Sequence, residues 1–100
     1  MKERAVIFAP EAEADLMALY DWIAAAAHPT TALGYIERIE AFCQGMRIAS
    51  ERGTRRYDIR PNLRIVTFEQ RVTVAFTVDD VSVVILRLFY GGRNWLELIE

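Results

Sequence analysis

Between Arg52 and Arg64 the chain carries five arginines, Arg52, Arg55, Arg56, Arg60 and Arg64, against Asp58 alone. This local charge of +4 stands in a protein whose formal net charge is −2. Every cation in the run is arginine, whose planar fork grips a carboxylate or phosphate through two parallel hydrogen bonds. Such a loop can recognise an acidic partner or a nucleic acid, and it can equally be a solvated surface loop. A second set stands near the C-terminus: Arg87, Tyr90, Arg93 and Trp95. Two arginines holding a phosphate while a tyrosine moves a proton could support RNA cleavage. A phenol with an ordinary pKa near ~10 needs strong electrostatic help for that role at neutral pH. Arg87 is also the sole charge inside an apolar run, where an ion pair would account for it as well.

Other chemistry finds little support. The one histidine, His28, lies in a proline turn, and the one cysteine, Cys43, lies on an apolar helical stripe, so no metal site is expected. A buried helical cysteine is usually inert packing rather than a nucleophile. Gly91-Gly92 follows a strand but lacks the longer phosphate-binding pattern, and no cofactor is expected.

Composition sets the frame for these residues. One hundred residues make one domain, 1–100, and an apolar fraction of 53% excludes a disordered chain. No stretch reaches the roughly 18 apolar residues of a membrane helix, and the opening MKERAVIF, charged and without a long apolar core, is not expected to be a targeting segment. A cytoplasmic protein without a membrane partner is expected, and a single cysteine suits a reducing compartment.

The organising element is VSVVILRLFYGGRNW, residues 81 to 95. Its residues are apolar on both parities, Val83, Ile85 and Phe89 on one and Val84, Leu86 and Leu88 on the other, so it should lie inside a sheet covered on both faces. Ahead of it, Ala5 to Phe8 reads as a short strand. Pro10 then opens a helix of about residues 10 to 27, with Ala12, Leu16, Leu19, Tyr20, Ile23 and Ala27 on one stripe. Ala9 offers it no capping oxygen, and Trp22 lies off the stripe, where it could cover a second contact surface. His28-Pro29 breaks this helix, and Thr30 or Thr31 is expected to cap a second one. Ala32, Tyr35, Ile36, Ile39, Phe42, Cys43 and Met46 draw its stripe, with Gly53 predicted as the positive-φ residue that follows it. Leu63 to Phe68 and the alternating Val72, Val74, Phe76 and Val78 give two strands, and Asp79-Asp80 turns into the organising strand. The class is α+β: an N-terminal strand and an antiparallel helix hairpin packed on a mainly antiparallel sheet of about four strands, with a short C-terminal helix or tail.

Three stretches, taken together, resemble the RelE/ParE superfamily of toxins from type II toxin–antitoxin systems, specifically its ParE branch. VIFAPEAEADLMALYDWIA is similar to the family's first strand and helix. ERGTRRYDIRPNLRIV is similar to the loop that joins the second helix to the sheet, and ILRLFYGGRNW to the closing strand and turn. They span nearly the whole chain in the family's order. The resemblance implies a toxin neutralised by a cognate antitoxin, either ParD-like or another small DNA-binding protein with a disordered tail. Characterised ParE-like members inhibit DNA gyrase, whereas RelE-like members cut messenger RNA on the ribosome. Here the only lysine is Lys2, so the lysine-rich sheet surface of the RelE branch is missing. The expectation is therefore a binding inhibitor of gyrase with no catalytic residues. Its target- or antitoxin-binding residues would come from the arginine run and from Arg87, Tyr90, Arg93 and Trp95. The alternatives are a RelE-like endoribonuclease using Arg87, Tyr90 and Arg93, and a nucleic-acid-binding module using the arginine loop, against which the acidic overall charge counts.

Overall fold

The computed structural model describes residues 3–91. In chain order the elements are β1 (Ala5–Phe8), α1 (Pro10–Ala26), α2 (Pro29–Gln44), a 3-10 turn (Gly45–Arg47), β2 (Thr54–Arg55), β3 (Leu63–Phe68), β4 (Val72–Val78) and β5 (Ser82–Tyr90). The helices form the expected hairpin and the strands one sheet in the order β1-β5-β4-β3-β2. The sheet is antiparallel throughout except that β1 runs parallel to β5, paired from Ala5–Ser82 to Phe8–Ile85. The described residues form five strands rather than about four, and the expected short C-terminal helix or tail lies outside them. The extra one, β2, is two residues long, too short to carry a periodic signal.

Helix α1 starts as its sequence implies, with Pro10 in the first turn, Glu11 and Glu13 beside it and no side-chain cap from Ala9. The Ala9 backbone does the positioning instead: its N–H donates to the Ile85 carbonyl of β5 at 2.9 Å, and its carbonyl accepts from Ala12 and Glu13. Helix α2 departs from expectation at its start. The cap is His28, whose Nδ1 accepts the Thr30 N–H at 3.1 Å, with Pro29 as the first helical residue. A histidine nitrogen lone pair does there what a threonine oxygen was expected to do.

Between helices and sheet lies the main core, in which Ala12, Leu16 and Leu19 of α1 and Tyr35, Ile39 and Cys43 of α2 meet Val72, Val74, Phe76, Val83, Ile85 and Leu88 of the sheet. Each fully buried large side chain here is worth about 1.5–3 kcal/mol. Burial pushes the Cys43 thiol up to about 12, so it stays protonated and acts as packing. The far face of the sheet carries a smaller cluster, Leu63, Ala75 and Phe89, with Ile59, Ile65 and Leu86 packed against it. Strand β5, between β1 and β4, is thus apolar on both faces as its sequence requires, but its parity changes partway. The pairing with β4 slips between Ala75–Arg87 and Phe76–Ile85. This bulge at Leu86 places Leu88 with Val83 and Ile85 under the helices and turns Phe89 to the opposite face.

The turns follow local chemistry. Between β3 and β4, Glu69 and Gln70 both have positive φ, 49° and 58°, the handedness that suits a twisted hairpin. Between β4 and β5, the Asp79 carboxylate accepts from the Val81 and Ser82 N–H groups at 2.8 Å each, which lowers its pKa. Gly53 does have positive φ, 70°, but it is not the residue that ends α2. It stands immediately before β2, where its backbone passes so close to Ile65 that a Cβ would fall 2.1 Å from that carbonyl oxygen.

Candidate functional site

Strand β1 stops pairing at Phe8, so beyond Ile85 the β1 side of β5 has no neighbouring strand among the described residues. Helix α1 lies over this stretch and supplies Asp15. Its carboxylate accepts from Arg87 Nε at 2.8 Å, from Arg87 Nη2 at 3.1 Å and from the Leu88 N–H at 2.9 Å. The pair is largely enclosed, with side chains 15% and 26% exposed. Arg87 is thereby held by Asp15, its pKa raised by that hydrogen bond, and it also lies 5.0 Å over the Phe89 ring.

About two helical turns beyond Asp15, Trp22 leans on Tyr90, ring centroids 4.9 Å apart. The two aromatics divide a groove into two compartments. One, of about 210 Å³, is floored by Leu19, Val72 and Leu88 and bounded by Asp15. The other, of about 520 Å³, reaches past Ile23 and Thr31 to Tyr35, Arg38, Glu69 and Arg71. Arg38 is bound to Glu69 through two hydrogen bonds, 3.0 and 3.3 Å. Arg71 has no side-chain partner among the described residues. A second apolar hollow, of about 530 Å³, opens on the hairpin between Leu16, Met17, Tyr20, Leu33 and Ile36, where Met17 is 63% and Leu33 52% exposed.

The structure separates the residues that the sequence singled out. Tyr90 belongs to the groove and Arg87 to its border. Arg93 and Trp95 lie outside the described residues. The arginine run is elsewhere, around β2 at the opposite edge of the sheet, and much of it is engaged internally. Arg52 Nε donates to the Ala49 carbonyl at 2.9 Å and its guanidinium lies over Phe42; Arg64 Nε donates to the Arg52 carbonyl at 2.8 Å. Arg56 forms a two-bond pair with Asp58, and Arg55 stacks over Tyr57. Within the run, only the Arg60 side chain has no partner among the described residues. Sequence reasoning missed Asp15, Tyr35, Arg38 and Arg71 as site residues. Asp15 was legible only as an acid in the first part of a helix, and Tyr35 only as a member of a core stripe.

Residues 6–95 match the family model described as the ParE toxin of the type II toxin–antitoxin system parDE. The chain belongs to the ParE toxin family. A chain of the solved structure titled "Chromosomal ParDE TA system from P. aeruginosa" is similar in fold, with a TM-score of 0.76 and 25% sequence identity, covering 88% of this chain and 96% of that one. Comparison with curated proteins gives no match. Among the described residues of this ParE toxin, the groove of Trp22 and Tyr90 and the apolar hollow on the helix hairpin are candidate surfaces for other molecules. Among the described residues no three His, Cys, Asp or Glu side chains gather into a group that could hold a metal ion, and no helix is long and apolar enough to cross a membrane.

Proposed function

We propose that this ParE toxin acts in the cytoplasm by binding rather than by catalysis, that DNA gyrase is its target, and that a cognate antitoxin neutralises it. The observation that carries the choice of mechanism is the Asp15–Arg87 pair. An arginine that is to hold a scissile phosphate must have its fork available, and both Nε and Nη2 of Arg87 are directed at Asp15. Using Arg87 for RNA cleavage would require breaking a largely enclosed ion pair, and the remaining groove residue of that reading, Tyr90, has its ring against Trp22.

Exposed apolar side chains support the antitoxin half of the reading. Trp22 is 55% exposed beside one groove, and Met17 and Leu33 line the other hollow. Surfaces of this kind usually mark a partner site, and a disordered tail that folds on binding could cover them. The test is expression of the chain with and without the small protein encoded by the adjacent reading frame. Growth arrest by the chain alone, relieved by the neighbour, is the expected result. In solution the neighbour should raise the melting temperature, because a ligand of the native state stabilises it by mass action. Arrest that the neighbour leaves untouched, with no thermal shift on mixing, would count against the reading.

A further inference from the structure

Tyr35 is a buried residue, 8% exposed, and its hydroxyl has no hydrogen-bond partner among the described residues. A buried hydroxyl without a partner is costly and rare in native proteins, which makes this one a place where a partner is to be expected from outside. The residue lines the larger compartment of the groove, and Arg38 lies over its ring at 5.0 Å. The Arg38–Glu69 pair that lines the same compartment is exposed, 55% and 41%, and an exposed pair of this kind costs only about 0–1 kcal/mol to open. Burial, with Glu69 and Tyr90 nearby, pushes the phenol above its ordinary value, so it remains a donor.

Two further features of the same compartment point to an acceptor that bears negative charge. Arg71 lines it without a side-chain partner among the described residues, and Thr31 lines it from the first turn of α2, the positive end of that helix. We propose that this groove docks a peptide segment of a partner protein, seating a carboxylate between Tyr35 and Arg71 and an adjoining large apolar side chain in the compartment of Leu19, Val72 and Leu88. The proposal rests on the reading of this chain as one that works by binding.

Charge decides between a peptide and a nucleic acid. Around the groove, Arg38 is matched by Glu69 and Arg87 by Asp15, which leaves the single charge of Arg71. One carboxylate satisfies one arginine, whereas a nucleic-acid strand brings a charge with every phosphate and would run against Asp15 and Glu69. The smaller compartment, about 210 Å³ and bordered mainly by apolar side chains, suits one large apolar residue. The exposed Trp22–Tyr90 pair between the compartments is the kind of aromatic anchor on which peptide interfaces depend.

The experiment uses the intact chain and three labelled probes. The first is a pool of amidated, acetylated decapeptides that hold one leucine and, two to five positions away, one glutamate. The second is the same pool with glutamine in place of glutamate, and the third is a ten-nucleotide single-stranded RNA. The glutamate pool should be retained, and the glutamine pool at least tenfold more weakly. Tyr35→Phe and Arg71→Gln should each lower retention of the glutamate pool at least fivefold and bring it toward that of the glutamine pool, while Trp22→Ala weakens both. Tyr35→Phe removes an unpartnered hydroxyl and should not lower the melting temperature, so lost binding there cannot be lost folding. Equal retention of the two pools, retention unaffected by both Tyr35→Phe and Arg71→Gln, failure of every peptide to bind, or capture of the RNA in their place would each overturn the proposal. Because the assay involves neither gyrase nor growth, it can fail while the functional reading stands, or succeed while that reading falls.

Discussion

Replacing Asp15 with alanine is expected to destabilise the protein by about 3 kcal/mol. The carboxylate serves three donors at once, the Nε and Nη2 of Arg87 and the N–H of Leu88. Removing it leaves a largely enclosed guanidinium without its counter-charge and a strand N–H without an acceptor. Breaking a fully buried pair costs roughly 3–5 kcal/mol, and the lower end applies because the Arg87 side chain keeps 26% of its exposure. Asp15→Asn retains an acceptor for the Leu88 N–H and should cost about half as much. The measurement is the urea midpoint at unchanged slope, which isolates stability from changes in compactness. A loss below about 1 kcal/mol for Asp15→Ala would mean that water replaces the carboxylate freely and that Asp15 does not hold Arg87 away from phosphate.

Gly53→Ala should be as damaging, at about 3 kcal/mol, for a different reason. At φ +70° an alanine already suffers the left-handed penalty of roughly 1–2 kcal/mol. Its Cβ would also sit 2.1 Å from the Ile65 oxygen, 2.8 Å from the Ile65 carbonyl carbon and 2.9 Å from Val66 Cβ. The first two are backbone atoms of β3, so relief requires β2 to move off the sheet edge and to carry Arg52 and Arg55 with it. Gly91→Ala provides the control. Its φ is +76°, yet none of the described residues lies within 4 Å of the added Cβ, so it should show only the conformational part, about 1 kcal/mol. Equal losses at the two positions would show that φ alone matters and that the approach of Gly53 to β3 is looser than described.

These two residues also show where sequence reasoning reached and where it stopped. Helix stripes and alternating strands depend on neighbours three, four or two positions apart, so α1, α2, β3 and β4 were legible with their core faces. That Gly53 takes positive φ is legible in its residue type, but the reason for it, contact with a strand twelve residues on, is not a local property. The bulge in β5 left no trace because both parities are apolar there, and the swap of Leu88 and Phe89 changes no pattern. His28 looks like a break in the sequence because its capping works through a ring nitrogen rather than the usual side-chain oxygen. The arginine run was plain as charge, whereas the partners that hold Arg52, Arg56 and Arg64 come partly from carbonyl groups, which any residue supplies. The groove combines Trp22 and Tyr90, both noticed in the sequence, with Tyr35 and Arg71, which were not singled out. What marks Tyr35 is a missing partner, visible only once the surroundings of its hydroxyl are known.

Whether this toxin binds or cuts can be measured directly. The direct measurement incubates the purified chain with gyrase and relaxed plasmid, and in parallel with messenger RNA, with and without ribosomes. Loss of supercoiling or accumulation of cleaved DNA, with the RNA intact throughout, is the predicted result. Unimpaired gyrase together with specific cuts in the messenger that disappear on Tyr90→Phe or Arg93→Ala would contradict it.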